Sequence, residues 1–101
     1  MSLDESRFTT LADQLIERIA DTVEDNLESA DADIQSGILT ITVPGLGQYV
    51  INKHTANREI WVSSPKSGAY HFAHRDGAWV STRDAAVVLG PLLSGELGVA
   101  V

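Results

Sequence analysis

No cysteine occurs anywhere in the 101 residues of this chain. Disulfides, thiolate nucleophiles, Cys-ligated zinc and a Cys-held cluster are therefore excluded, and the usage fits an intracellular compartment. Cations are scarce as well. Seven Lys and Arg stand against 14 Asp and Glu, for a formal charge of −7. A phosphate backbone would be repelled, which argues against nucleic acid and leaves metal cations or basic protein surfaces as partners. No apolar run approaches the ~18 residues of a membrane span, so no membrane role is expected. Met1 to Arg7 lacks the basic-then-apolar order of a secretory signal and is too acidic for an organellar presequence. There is also no Gly-rich phosphate loop, no Ser/His/Asp spacing and no pair of carboxylates that reads as buried. No catalytic residue can be named. What is present, 44% apolar residues with both signs of charge, fits one globular domain over residues 1–101.

Ser2-Leu3-Asp4-Glu5 reads as a capping box, with Ser2 as N-cap, opening a helix to about Ser29. Phe8, Ala12, Leu15, Ile16, Ile19, Val23 and Leu27 form its apolar stripe. Six short strands are expected next, at Asp33–Gln35, Ile38–Val43, Gln48–Asn52, Glu59–Ser63, Ala69–His74 and Ala78–Val80. Pro44-Gly45-Leu46-Gly47 reads as a turn, and Arg75-Asp76-Gly77 as a hairpin. Ser81-Thr82-Arg83-Asp84 predicts a second cap and a helix through Leu93 or beyond, interrupted by Gly90-Pro91. Helix, antiparallel meander, helix gives an α+β class. Both helices should cover one face of a five- to six-stranded antiparallel sheet in a two-layer sandwich.

Asp13, Glu17, Asp21, Glu24 and Glu28 fall within roughly 80° on a helical wheel of about 100° per residue. Asp25 borders them, and Asp31 and Asp33 carry the charge past the helix end. Such a stripe can be nothing more than the wet side of an amphipathic helix. Yet carboxylates at i,i+4 repel by ~0.2–0.5 kcal/mol per pair. Glu24, Asp25 and Glu28 also crowd the end where the helix dipole disfavours anions by ~0.3–1 kcal/mol each. No Lys or Arg follows Arg18 in this helix to offset them. Hard oxygen donors of this kind suit Fe²⁺, Mn²⁺, Mg²⁺ or Ca²⁺. One rigid helix cannot enclose an ion, so binding should be weak, exchangeable and completed by water.

Alternation along the third and fourth strands places Tyr49, Ile51, Ile60 and Val62 toward the helices. Gln48, Val50, Asn52, Trp61 and Ser63 then face away, with Lys53 and Arg58 nearby. Trp61 among short polar residues reads either as a partner anchor or as cross-strand packing on the outer face. Trp79 reads as core. His54, His71 and His74 are the only imidazoles; His71 and His74, three apart on a strand, should not share an ion.

The run Gly47-Gln48-Tyr49-Val50-Ile51-Asn52-Lys53, then Asn57-Arg58-Glu59-Ile60-Trp61-Val62-Ser63-Ser64-Pro65 and Ser67-Gly68, closely resembles the frataxin signature. Ser36-Gly37-Ile38-Leu39-Thr40 and Trp79-Val80 match in order, so the resemblance covers nearly the whole chain. It implies an iron-binding accessory protein of iron–sulfur cluster assembly, delivering or sensing Fe²⁺ at the cysteine desulfurase and its scaffold protein. It maps the family's metal ridge, for Fe²⁺ or Fe³⁺, onto Glu17, Asp21, Glu24, Asp25, Glu28, Asp31 and Asp33. It maps partner contacts onto Asn52 and Trp61, and Lys53 and Ser63 beside them are expected to bind the partner as well. A metal-independent regulator of the desulfurase is the alternative, as is a ferroxidase or iron-storage protein. The resemblance implies a monomer with possible metal-induced oligomers.

Some residues depart from the family pattern. His54 stands where many members have Gln, Ala56 where many have Pro, and His71 where mitochondrial members carry a basic residue. Tyr70-His71-Phe72 resembles the bacterial branch and Ser63-Ser64-Pro65 the mitochondrial one. The expected setting is bacterial cytoplasm, or the mitochondrial matrix if a presequence has been removed.

Overall fold

A computed structural model describes residues 4–100. Helix α1 spans Glu5–Asn26. Its N-cap is Asp4, whose Oδ1 accepts from the Arg7 amide at 2.7 Å. That replaces the expected Ser2–Glu5 box: with Asp4 as cap, Glu5 is the first helical residue and cannot reach back three positions. Ser2 itself lies outside the described residues. The helix stops three residues before the expected Ser29, at Asn26. Leu27 leaves the helical region, and its amide still donates to the Val23 carbonyl. No cation offsets the negative end of the dipole there, and extension would add Glu28 to it.

Six strands follow: β1 (Asp31–Gln35), β2 (Ile38–Val43), β3 (Gly47–His54), β4 (Glu59–Ser64), β5 (Gly68–Arg75) and β6 (Ala78–Ser81). They pair in chain order as one antiparallel sheet. Two-residue turns close the first and last hairpins. Ser36-Gly37 and Asp76-Gly77 both have positive φ at the two central positions, the twist that matches strand twist. One face of the sheet presents Leu39, Ile41, Tyr49, Ile51, Ile60, Val62, Phe72 and Trp79 to the helices, all buried. Phe8, Ala12, Leu15, Ile16, Ile19, Ala20 and Val23 of α1 close over them. Phe8 meets Trp79 edge to face, with ring centroids 6.0 Å apart. Among the described residues no element covers the opposite face of the sheet.

The last helix differs from the sequence expectation. After β6 the chain does not enter a helix at Asp84. Asp84 instead closes a turn, its Oδ1 accepting from the Ala86 amide and its carbonyl from that of Val87, and Val88 bridges to Val80. Helix α2 (Leu89–Leu97) begins after that. Proline is the reason. In a helix opened at Asp84, Pro91 would be interior, without an N–H and crowding the preceding turn. In α2 it is the third residue, where the N–H has no intrahelical acceptor. Gly90-Pro91 therefore lies in the first turn and interrupts nothing. Leu89, Leu93 and Leu97 complete the core. Among the described residues no helix is long and apolar enough to cross a membrane.

Candidate functional site

Two separate surfaces collect the residues singled out above. The first is the solvent side of α1, where Glu17, Asp21, Glu24 and Asp25 are exposed, with Glu28 just past the helix end. Asp13 does not belong with them in charge. Lys53, on the helix-side face of β3, reaches it with Nζ 2.8 Å from Oδ1 and neutralises it. Lys53 thus points away from Asn52, Trp61 and Ser63, the residues it adjoins in sequence. The paired Lys53 and Asp13, with Ile16, Glu17, Ile34 and Gly37, line a hollow of about 260 Å³ beside the first hairpin.

Asp31 and Asp33 do not continue the α1 row. They pair in register with Thr42 and Thr40, while Ala32 and Ile34 pair with buried Ile41 and Leu39. Asp31 and Asp33 consequently lie on the open face of the sheet, at its edge strand. Five of the seven carboxylates assigned to a metal ridge remain together and two are on the other side of the sheet. Among the described residues no three metal-ligating side chains converge on one point. An ion on α1 would meet one or two carboxylates and keep most of its water.

The second surface is the open sheet face. Asn52, Trp61 and His71 are cross-strand neighbours on β3, β4 and β5. Trp61 is stacked on both sides. The His54 ring lies 3.9 Å from it at 6°, and the His71 ring 4.1 Å away at 5°. Its Nε1 donates to Glu59 Oε1 at 2.9 Å, and the same oxygen is 3.8 Å from His71 Nδ1. The indole is half-buried, held upright with its faces covered. Beside this stack, Val50, Asn52, Ser63 and Ala69 help form a depression of about 150 Å³. His54, Glu59 and His71 went unassigned in the sequence reading. Only the register reveals that three strands bring them to one indole.

A third cluster lies at the C-terminal helix. Glu96 of α2 accepts through Oε1 from the Tyr49 hydroxyl at 2.8 Å and from Ser64 Oγ at 2.6 Å. Its Oε2 accepts from Ser67 Oγ at 2.5 Å. Ser64 Oγ in turn accepts from the amides of Lys66 and Ser67. Burial works to raise Glu96. The hydrogen bonds from Ser64, Ser67 and Tyr49, with the Lys66 charge, outweigh it and hold the carboxyl below its ordinary range. Burial first, then the Glu96 carboxylate, push Tyr49 up to about 12. Each group satisfies another, so the cluster fastens α2 to the β4–β5 turn rather than offering a reactive centre.

The geometry agrees with comparison to known proteins. A family model described as "Frataxin-like domain" matches residues 1–101. An iron-sulfur cluster assembly protein CyaY of Neisseria meningitidis serogroup B is 37% identical over 98% of this chain and 94% of its own length. The protein of the same name from Neisseria gonorrhoeae is equally similar, at 37% and the same coverage. Among solved structures, trimeric frataxin from the yeast Saccharomyces cerevisiae superposes with a TM-score of 0.79 at 34% identity, covering 86% of this chain and 75% of that one. The same yeast protein complexed with ferrous gives 0.75 at 30% identity, over 97% and 86%. Frataxin from Psychromonas ingrahamii shares the fold at a TM-score of 0.83 and 23% identity, over 94% and 89%. Helix order, six-stranded meander and a full-length match at this identity together mean that the chain belongs to the frataxin family.

Proposed function

We propose that this protein is an accessory factor of iron–sulfur cluster assembly that carries ferrous iron as loosely held cargo on α1. It docks on the cysteine desulfurase and scaffold through the open sheet face. One observation carries the reading: the unpaired carboxylates of α1 and the Trp61 stack lie on opposite layers of the sandwich. A cation on one layer leaves the other free for a protein. Glu17, Asp21, Glu24, Asp25 and Glu28 are exposed, so hydrated Fe²⁺ can reach and leave them without a conformational change. Trp61, edge outward with its faces covered, supplies the rigid aromatic anchor that interfaces favour, beside Asn52 and Ser63. The assembly role named for the 37% identical relatives supports the pathway, and the ferrous complex of the yeast protein supports the cargo.

A second reading, regulation by contact alone, is favoured by the lack of a convergent ligand set among the described residues. Co-purification of the tagged chain with desulfurase and scaffold, at fixed low metal and then with Fe²⁺, separates the two. Capture that strengthens with Fe²⁺, and loses that gain when Glu17, Asp21, Glu24 and Glu28 are neutralised, supports iron delivery. Capture indifferent to Fe²⁺ favours contact regulation, and no capture overturns both.

A further inference from the structure

One row of the open face runs straight across the sheet: Asp33 on β1, Thr40 on β2, Val50 on β3, Ser63 on β4 and Ala69 on β5 are successive register partners. Arg83, just past β6, continues it, with its Nη2 donating to the Ala69 carbonyl at 3.2 Å. The four side chains between Asp33 and Arg83 are small and uncharged. The adjacent row, Asn52, Trp61 and His71, stands taller along one side, stiffened by the ring stack. At the far end Ala69, His71, Thr82 and Arg83 line a second hollow of about 290 Å³.

The result is a trough with charge of opposite sign at its two ends. Asp33, backed by Asp31, marks the β1 end, and Arg83 marks the other. Among the described residues neither Asp33 nor Arg83 has an ion-pair partner. Asp84 follows Arg83, but its Oδ1 is engaged by the Ala86 amide. Glu59 lies beyond the wall, bonded to Trp61. Four inter-strand spacings of about 4.8 Å make the floor roughly 19 Å long, the span of about six extended residues.

We propose that the trough receives an extended partner segment of about six residues, laid across the strands, with small side chains on the floor. Its cationic end sits over Asp33 and its anionic end over Arg83. The inference rests on the reading of the open face as the docking surface and adds the direction in which a segment lies there. Charge complementarity carries it: a chain of −7 keeps a free cation at one end of its aromatic surface and free anions at the other. In a trough of uniform charge a segment could lie either way round. Here it cannot.

The test uses the full ¹⁵N-labelled chain and the capped hexapeptide Lys-Ala-Val-Ser-Ala-Glu, with a nitroxide label at its Lys end. Saturable shifts are expected at Thr40, Val50, Ala69 and the Trp61 indole, with line broadening strongest at Asp33 and Thr40. In the doubly exchanged chain, Asp33→Lys with Arg83→Glu, the broadening should move to Ala69 and Thr82. Both sites are exposed, so the fold survives the exchange. A peptide with Gln at both ends should bind about fivefold more weakly, as two exposed ion pairs allow. Broadening that stays in place after the exchange, equal affinity for the Gln peptide, or no saturable shift on this face overturns the proposal. Co-purification of the complex is read separately. A chain that captures its partners yet shows no polarity with the peptide overturns this inference alone.

Discussion

Tyr49, at the centre of the sheet, donates its hydroxyl to Glu96 of the last helix, 47 residues further along the chain, at 2.8 Å. The bond joins a carboxyl held below its ordinary range to a phenol pushed above its own, so its two partners act at opposite ends of the pH scale. Glu96 is held below its ordinary range in the fold, so its contribution is complete above the unfolded value and disappears as pH falls through the folded one. Tyr49 is raised from 10.0 to about 12, so its contribution is complete below 10 and is lost as pH rises toward 12.

Glu96→Gln should therefore lower the melting temperature at pH 7 and flatten the acid limb of the stability curve. Glu96→Ala, which leaves Tyr49 and Ser64 without this acceptor, should cost about 2–4 kcal/mol. Tyr49→Phe should abolish the alkaline loss between pH 10 and 12, which amounts to roughly 2–3 kcal/mol in the native chain. Urea unfolding across pH 3–12 reads all three. An acid limb identical in Glu96→Gln and the native chain would contradict the clamp.

Neutralising α1 separates stability from metal handling. Glu17→Gln, Asp21→Asn, Glu24→Gln and Glu28→Gln together remove i,i+4 repulsion and anions at the wrong end of the dipole. A gain of about 1 kcal/mol is expected, or roughly 4–8 °C in melting temperature. Anaerobic Fe²⁺ titration of the same variant should show weakened binding. Unchanged affinity in the stabilised variant would remove α1 as the iron surface.

Pro91→Ala should be close to neutral. Pro91 is the third residue of α2 and forfeits no intrahelical bond, and it restricts the unfolded chain. The expected change is a loss of about 0.5 kcal/mol in urea denaturation. A gain near the ~3 kcal/mol of an interior proline would instead place it inside a longer helix.

Trp61→Ala should weaken binding to the desulfurase–scaffold complex by about 30-fold or more, the effect of removing a central aromatic anchor. Fe²⁺ binding should be unchanged, because no α1 carboxylate shares that face. Trp61→Phe keeps a ring between His54 and His71 and should retain part of the affinity. Co-sedimentation with the complex, beside Fe²⁺ titration, measures both. Equal binding by Trp61→Ala would discard the open face as the docking surface.

Local pattern was sufficient for much of this architecture. The apolar stripe from Phe8 to Val23 makes α1 amphipathic wherever it packs. Alternation in Ile38–Val43 and Glu59–Ser63 decides which side chains face the helices, because each pleat reverses the last. Asp76-Gly77 can adopt the paired positive φ angles that its hairpin needs. These are short-range consequences of backbone geometry, and so they are written in adjacent residues. The same alternation already sends Asp31 and Asp33 to the open face, a reading that proximity to the α1 carboxylates obscured.

Only the tertiary structure decided the rest. Asp13 is paired with Lys53 through a contact between residues 40 apart in the chain, and Glu96 meets Tyr49, Ser64 and Ser67 only once α2 docks. The His54–Trp61–His71 stack and the Asp33-to-Arg83 row depend on the registers of several strand pairs at once. Register is fixed jointly by turn lengths and by the burial of the opposite face, so no single strand encodes which residue its neighbour supplies. The start of α2 is similar in kind. Ser81 to Asp84 satisfies the local rules for a cap, and the chain declines it because Val88 pairs with Val80 and Pro91 fits only a helix that begins later.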